Sequence, residues 1–233
     1  MIKRLDLILN GKGGVGKSFF AVNFVQYLKD RNITFVACDC DNENSTLKRF
    51  HTEAEFLNLA GRRALDPMFR SLDKADLVVM DCRAASTGLF FDFFDEIDLR
   101  ATLHDLSAAL TLIVPVTHET DSVDQLQRLV SKLGNSCSYV VLRNAVHDNT
   151  FTIYDQSAIR KRLRKELAAK EITMAQLQPF LVEELSLKNV TITPAIKGDQ
   201  FYLLDRHRLQ TWQRRLYEQI DSAADLLLPA NTP

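Results

Sequence analysis

The chain has 233 residues, of which 46% are hydrophobic and 25% are charged, and its formal net charge at pH 7 is −1. These values are typical of a folded globular protein and exclude a disordered chain, a collagen-like chain and a disulfide-stabilised mini-protein. The near-zero net charge also excludes a global field that would attract nucleic acid or membranes, so any such binding needs a local patch.

Short apolar runs alternate with helical patterns along the chain, which favours βα units and a parallel sheet. In chain order, the first half predicts a strand at Leu5–Leu9, a helix at Lys17–Lys29, a strand at Ile33–Cys38, a helix at Leu47–Arg63, a strand at Asp76–Met80 and an ambiguous aromatic segment at Phe90–Phe94. The second half predicts a strand at Leu110–Val116, a helix from Asp121 to Leu133, a strand at Tyr139–Leu142, a basic helix at Ser157–Ala169, a short strand at Val190–Thr193 and a final helix at Leu203–Asp225. With no repeat or linker, we expect one doubly wound α/β domain over residues 1–233, with a mostly parallel sheet flanked by helices.

The four cysteines include no C-x-x-C pair and predict no metal site. Cys38 and Cys40 lie in an apolar run, where small buried strand residues are favoured over metal ligands. No apolar stretch has the length of a signal peptide core or a membrane-spanning helix. We therefore expect a cytoplasmic protein with free thiols and no membrane insertion.

A glycine-rich segment between the first strand and the first helix fits G-x-x-x-x-G-K-[ST] without a mismatch. Glycines let backbone N–H groups converge on phosphate oxygens, and the helix N-terminus adds a partial positive charge. Lys17 can reach β- and γ-phosphates, and the Ser18 hydroxyl can ligate Mg²⁺. This context favours a phosphate-binding loop over a chance glycine-rich turn. The expected binding residues are Gly11, Lys12, Gly13, Gly14, Val15, Gly16, Lys17, Ser18 and Phe19.

Lys12 turns the motif into K-G-G-x-G-K-[ST], and on these residues the sequence resembles the partition-type (ParA/MinD-type) ATPase superfamily. The resemblance implies a P-loop NTPase that binds ATP and Mg²⁺ and forms an ATP-dependent homodimer. It also implies that Lys12 reaches the nucleotide of the facing subunit. The other interpretation of Lys12 is an exposed loop lysine.

Two acidic motifs follow buried strands, and carboxylates at such strand ends face the phosphate crevice of a parallel sheet. The resemblance gives Asp41 the task of orienting the attacking water and puts Asp39 near the magnesium ion. The alternative is that this acidic segment caps the following helix. The run 76–81 resembles a Walker B strand, with Asp81 holding Mg²⁺.

The sequence departs from the family pattern at both switch segments. Asn42-Glu43 replaces the Pro-Gln that often follows the first acidic motif, and Cys82-Arg83-Ala84-Ala85-Ser86 replaces the usual Thr-Pro-Pro after the second. We therefore expect the second switch to behave differently from that of the partition ATPases. Arg83 is an unusual charge at this place, and its role stays open.

The resemblance also suggests where the nucleotide base binds. Asn144 follows a predicted strand at a position where the family places an asparagine that pairs with adenine, and the alternative is a turn asparagine. Pro194 matches, more weakly, a position whose neighbours line the base pocket.

Cations concentrate in the last third of the chain, where residues 151–215 carry a local balance of +5. Residues 160–165 and 206–215 are dense in Arg and Lys. They are either solvated helix faces or a surface that binds DNA without sequence preference.

Together these features predict a slow ATPase with an ATP-dependent dimerisation switch that acts in plasmid partition, stability or conjugative transfer through a DNA-binding adaptor. The C-terminal segment 206–215 is similar to that of accessory ATPases encoded beside such plasmid genes. The alternatives are a metabolic ATP-dependent ligase or amidating enzyme on the same fold, and a nucleotide-gated scaffold that does not hydrolyse. The acidic pair Asp41 and Asp81 argues against the scaffold.

Overall fold

Seven strands form one sheet in the computed structural model, which describes residues 2–42, 44–61, 63–146 and 150–230. In chain order these strands are β1 (Lys3–Ile8), β2 (Val36–Asp39), β3 (Glu55–Phe56), β4 (Leu77–Asp81), β5 (Ala108–Val116), β6 (Ser138–Asn144) and β7 (Lys170–Met174). Their spatial order is β3-β2-β4-β1-β5-β6-β7, and every neighbouring pair is parallel. The expected doubly wound α/β fold is confirmed, with β1 at its centre.

Helices cover both faces of the sheet, because a parallel strand is buried on both sides. Leu5 and Leu7 of β1 point into one core and Ile8 into the other. Helices on the first face are α3 (Asp66–Arg70), α4 (Thr87–Glu96), α5 (Leu99–Asp105), α6 (Thr120–Leu133), α7 (Thr152–Gln156) and α8 (Ala158–Glu166). Helices on the second face are α1 (Lys17–Asp30), α2 (Thr46–Phe50), α9 (Pro179–Lys188), α10 (Ile192–Lys197), α11 (Leu203–Asp221) and α12 (Ala224–Leu227). Among the described residues, no helix combines the length and the apolar character needed to cross a bilayer.

The predicted helix Leu47–Arg63 is wrong beyond its first turn. Helix α2 ends at Phe50, and the chain then adds β3 to the sheet edge, where the Leu57 N–H donates to the Asp39 carbonyl at 2.8 Å. Ala54, Leu57 and Leu59 are buried, with a spacing that suits an extended chain under the sheet edge. Tertiary pairing therefore overrides the local helical pattern in this segment.

The C-terminal third differs from its prediction in two linked ways. The basic helix α8 ends at Glu166, and β7 follows at the edge of the sheet. Only Ile172 and Met174 of this strand are buried, and polar residues separate them in the sequence. The predicted strand Val190–Thr193 instead leads into α10, with Thr191 extended at its N-cap. Pro194 sits in the first turn of α10, where a missing N–H costs nothing because that group has no helical partner.

A buried carboxyl group lies in the central strand and takes no part in the site described below. Asp6 is 0% exposed, and its strand neighbours are Val79 and Thr111. Among the residues that the structure describes, neither of its carboxyl oxygens has a hydrogen-bond partner. Burial raises the pKa of Asp6 well above its ordinary value of 3.8, and the Arg4 charge opposes this only partly. The folded protein therefore keeps a proton that the unfolded chain releases.

Replacing this carboxyl group should stabilise the protein and change the pH dependence of its stability. Because the folded pKa is raised, the wild-type free energy of unfolding should fall as pH rises above about 4. Asp6→Val, which suits a strand buried on both faces, should add about 1–3 kcal/mol at pH 8 and less at pH 5. Urea unfolding of both proteins across this pH range measures the effect, and parallel pH profiles would show that Asp6 is ionised in the fold.

Candidate active site

The residues expected to act on a nucleotide meet at the carboxyl edge of the sheet. Asp39, the last residue of β2, is in register with Asp81, the last residue of β4, and Asp81 is in register with Ile8, the last residue of β1. The segment Gly11–Ser18 continues from β1 into α1 at this same edge. Parallel pairing thus brings the two acidic motifs beside the glycine-rich loop, as the sequence predicted.

Two glycines of the loop hold conformations or contacts that a side chain would prevent. Gly16, the N-cap of α1, has φ +88°, and a Cβ there would collide with Nδ2 of Asn144. Gly14 has φ +74°, in the left-handed region that favours glycine. The loop can therefore turn its backbone N–H groups toward an anion at the start of α1.

Lys17 folds back over the loop at the start of α1. Its ammonium donates to the Lys12 carbonyl at 2.9 Å, and the residue is 7% exposed. Burial lowers the pKa of Lys17 from its ordinary value, while the charges of Asp81 and Asp41 oppose the shift. The ammonium group of Lys17 therefore lies inside the loop, where phosphate oxygens can replace the Lys12 carbonyl as its hydrogen-bond acceptor.

Asp81 has the surroundings of a metal ligand. Both of its carboxyl oxygens are buried, and within the described part of the chain no group forms a hydrogen bond of good geometry with them. Burial raises the pKa of Asp81 to about 7, and Ser18 and Lys17 favour the charged form. Such an orphaned carboxylate beside a hydroxyl fits Mg²⁺, which takes few protein ligands and completes its shell with water and phosphate oxygens. The described residues contain no cluster of three or more His, Cys, Asp or Glu side chains that could hold a metal ion.

The structure separates the tasks of the two aspartates after β2. One oxygen of Asp39 accepts from the Asp41 N–H and the other from the Lys48 N–H, both at 2.9 Å. Asp39 therefore caps α2, which is the alternative considered for this segment, and it is 0% exposed. Burial raises the pKa of Asp39, and these N–H donors oppose the shift. Its backbone bonds give Asp39 a positioning task at the start of α2, and its expected place near magnesium stays a prediction.

Asp41 lies further out and is only partly buried. Its carboxylate accepts from the backbone N–H of Asn44 at 3.4 Å and from the side-chain amide of Asn44 at 3.2 Å. This short turn holds the carboxylate at the mouth of the crevice. Glu43, singled out in the sequence as a departure from the family pattern, lies outside the described residues.

Lys12 is paired with acidic residues of its own chain. Its ammonium lies 3.6 Å from Glu119 and 3.2 Å from Asp121, at the start of α6. The hydrogen bond to Asp121, followed by the Glu119 charge, raises the pKa of Lys12. Lys12 therefore stays charged and is held at the edge of the loop.

Asn10 is a site residue that the sequence analysis missed. It is 0% exposed, and its side-chain amide donates to the carbonyls of Pro115 and Ser122 while its oxygen accepts from the Lys12 N–H at 2.9 Å. It thus ties the loop to β5 and α6. The sequence signal that could have identified Asn10 is its position, since it is a polar residue between an apolar strand and the first glycine of the loop.

A cavity of about 720 Å³ opens beside the loop and has the size of a small-ligand site. Phe19 and Asn144 line it, and the Asn144 amide also donates to the Val15 carbonyl at 2.9 Å. Pro179 of α9 lines this cavity, whereas Pro194 lies on α10 and does not. The strand predicted before Pro194 is wrong, because residues 192–197 form α10 and β7 ends beside the cavity instead, so the strand order that suggested a base-pocket position for Pro194 is not the observed one.

The two cationic segments pack against opposite faces of the sheet. The buried side of α8 packs into the core on the first face of the sheet, and that of α11 packs into the core on the second face. Arg160 is also neutralised by Glu171 at 2.8 Å and Asp155 at 3.0 Å. Arg208 pairs with Asp205 at 2.6 Å. The two basic segments of the sequence therefore lie on two different helices, and some of their charges are paired with acidic residues.

Comparison with known proteins gives relatives over nearly the whole length. The chain is 25% identical over 218 residues to Protein MobD of Acidithiobacillus ferrooxidans, covering 91% of this chain and 94% of that protein. It is 26% identical over 242 residues to Protein TraL of Escherichia coli, covering 96% and 99%. Its fold is similar to that of the septum site-determining protein MinD complexed with Mg-ADP from Pyrococcus horikoshii OT3, with a TM-score of 0.55, 15% identity and coverage of 99% and 100%.

One family matches the phosphate loop, both acidic motifs and part of the segment that lines the cavity. This family, described as the CobQ/CobB/MinD/ParA nucleotide binding domain, matches residues 7–179. The match includes every strand of the sheet except the first residues of β1. The chain therefore belongs to the CobQ/CobB/MinD/ParA family of nucleotide-binding domains.

Proposed function

We propose that the chain is a Mg²⁺-dependent ATPase of plasmid mobilisation, transfer or stability, which switches between a monomer and an ATP-bound dimer. The observation that carries this proposal is the orphaned carboxylate of Asp81 beside Lys17 and Ser18 at the carboxyl edge of the sheet. Those three groups suit a magnesium-bound triphosphate. The relatives MobD and TraL support the plasmid branch.

Each residue has a distinct task in the proposed reaction. Lys17 would donate to the phosphates, and Asp81 and Ser18 would hold Mg²⁺, whose positive charge would offset that of the phosphate oxygens. Asp41 orients the attacking water at the crevice mouth, and Asp39 keeps the start of α2 in place beside it. Asn144 hydrogen-bonds to the base and also stabilises the loop through its hydrogen bond to the Val15 carbonyl.

We assign contact with DNA to a separate adaptor protein. The cations at 160–165 and 206–215 lie on opposite faces of the sheet, so one monomer does not offer them to a single duplex. Turnover measured with the chain alone, then with duplex DNA, and then with the adaptor tests this division. We expect slow turnover alone and stimulation by the adaptor, and a metabolic enzyme would instead need a small-molecule co-substrate.

Lys12 provides the test of the dimer. Its ammonium must leave Glu119 and Asp121 to reach a nucleotide in a second subunit. Lys12→Ala should therefore bind ATP with an affinity within about threefold of wild type but fail to dimerise with it. Light scattering with Mg-ATP measures the dimer, and fluorescence titration measures binding.

Asp121→Asn is the matched comparison for that variant. It weakens the intrachain contact of Lys12 and keeps the lysine, so it should dimerise at least as readily as wild type. Equal loss of binding and dimerisation in Lys12→Ala would place Lys12 in the site of its own subunit.

A further inference from the structure

The loop that follows β4 lies directly against the glycine-rich loop. The Cys82 N–H donates to the Ile8 carbonyl at 3.2 Å, and the Ala85 N–H donates to the Gly11 carbonyl at 3.1 Å. A Cβ placed on Gly13 would lie 3.9 Å from the Cβ of Ala84. Residues 82–86 therefore form a wall beside the phosphate cradle.

The shape of this wall is fixed by its own contacts. Ala85 has φ +58°, which is unfavourable for a residue with a Cβ and persists only where neighbouring contacts hold it. The Ser86 hydroxyl donates to the Arg83 carbonyl at 2.8 Å and closes the turn. The backbone that carries Arg83 is thus held in place beside the cradle.

Arg83 differs from the other two cations of the site in its surroundings. Lys12 is paired with Glu119 and Asp121, and Lys17 is buried among carboxylates. Arg83 is exposed, and within the described part of the chain its guanidinium has neither an ion pair nor a hydrogen bond. Its charge and its five N–H donors are therefore available to a ligand.

The geometry points to Arg83 as a residue that binds the γ-phosphate of the nucleotide held by its own subunit, so that the site distinguishes ATP from ADP. This inference rests on the proposed function. A planar guanidinium suits phosphate oxygens because it can donate two parallel hydrogen bonds. Positive charge at the γ-phosphate also stabilises the transition state of phosphoryl transfer.

The test is a comparison of affinities for a triphosphate and a diphosphate. Mant-labelled AMP-PNP and ADP are titrated by anisotropy, with Mg²⁺ and at protein concentrations where the chain is monomeric. Arg83→Ala should bind the AMP-PNP analogue about 10-fold more weakly, while its ADP affinity stays within about twofold of wild type. Arg83→Lys, which keeps the charge without the planar fork, should lose less.

Arg128→Ala is the control, because Arg128 is an exposed arginine on α6 and its removal changes the net charge equally. It should match wild type with both nucleotides. An unchanged ratio of the two affinities in Arg83→Ala overturns the inference, as does a loss that appears only at concentrations where the protein dimerises. Failure of the wild type to bind either nucleotide would instead contradict the proposed function.

Discussion

Lys17→Ala should abolish measurable ATP binding, with a loss of at least about 100-fold, equivalent to ~3 kcal/mol. The ammonium of Lys17 lies inside the loop, 2.9 Å from the Lys12 carbonyl, and it is the buried cation of the cradle. Its removal leaves the carboxylates of Asp81 and Asp41 facing phosphates with less compensating charge. Isothermal titration with Mg-ATP measures the effect.

Lys161→Ala controls for the loss of one positive charge. Lys161 lies on the exposed side of α8, away from the glycine-rich loop, so its removal should leave ATP affinity unchanged. An affinity of Lys17→Ala within about twofold of wild type would contradict the assignment of the loop. Circular dichroism of both variants verifies that they fold, since Lys17 is largely buried.

The sequence predicted the sheet well where burial and pattern agree. Leu5–Leu9, Asp76–Met80, Leu110–Val116 and Tyr139–Leu142 each overlap a strand of the sheet, because apolar runs of this length suit strands covered on both faces. The ambiguous segment Phe90–Phe94 belongs to α4, where Phe90 and Phe94 are buried four residues apart.

Prediction failed where tertiary contacts decide the local structure. Lys170–Met174 pairs with β6 at a sheet edge and exposes half of its side chains, so its pattern resembles the end of a basic helix. Val190–Thr193 has the β-branched residues of a strand, yet α10 begins at Ile192 and contains Pro194 in its first turn. Local propensity predicts neither β7 nor the start of α10, because each depends on the parts of the fold that pack against it.

The sequence placed the motif residues beside one another because the glycine-rich motif and the two strand-end aspartates have fixed positions in a parallel sheet. The sequence could not reveal the hydrogen bonds and ion pairs that these groups form with one another and with the surrounding strands and helices. Asn144 was expected to contact a base; in the structure it donates to the Val15 carbonyl and lies in the space that the missing side chain of Gly16 leaves. Asn10 and the ion pairs of Lys12 depend on β5 and α6, which are more than 100 residues away in sequence.

Asp41→Ala should separate hydrolysis from binding. Turnover should fall about 10²–10³-fold, because the carboxylate that orients the attacking water is lost. ATP affinity should stay within about threefold of wild type, since Lys17, Ser18 and Asp81 remain. Single-turnover hydrolysis and nucleotide titration measure the two effects, and light scattering should show a dimer that persists with ATP.

Asn44→Ala is the graded companion of that variant. It keeps the Asp41 carboxylate and removes the side-chain amide that donates to it at 3.2 Å, while the weaker backbone contact at 3.4 Å remains. Turnover should therefore fall less than in Asp41→Ala, by about 3- to 10-fold, with ATP affinity unchanged. If Asp41→Ala lost binding and turnover in equal proportion, Asp41 would be holding the nucleotide rather than the water, and the mechanism proposed for this crevice would be wrong.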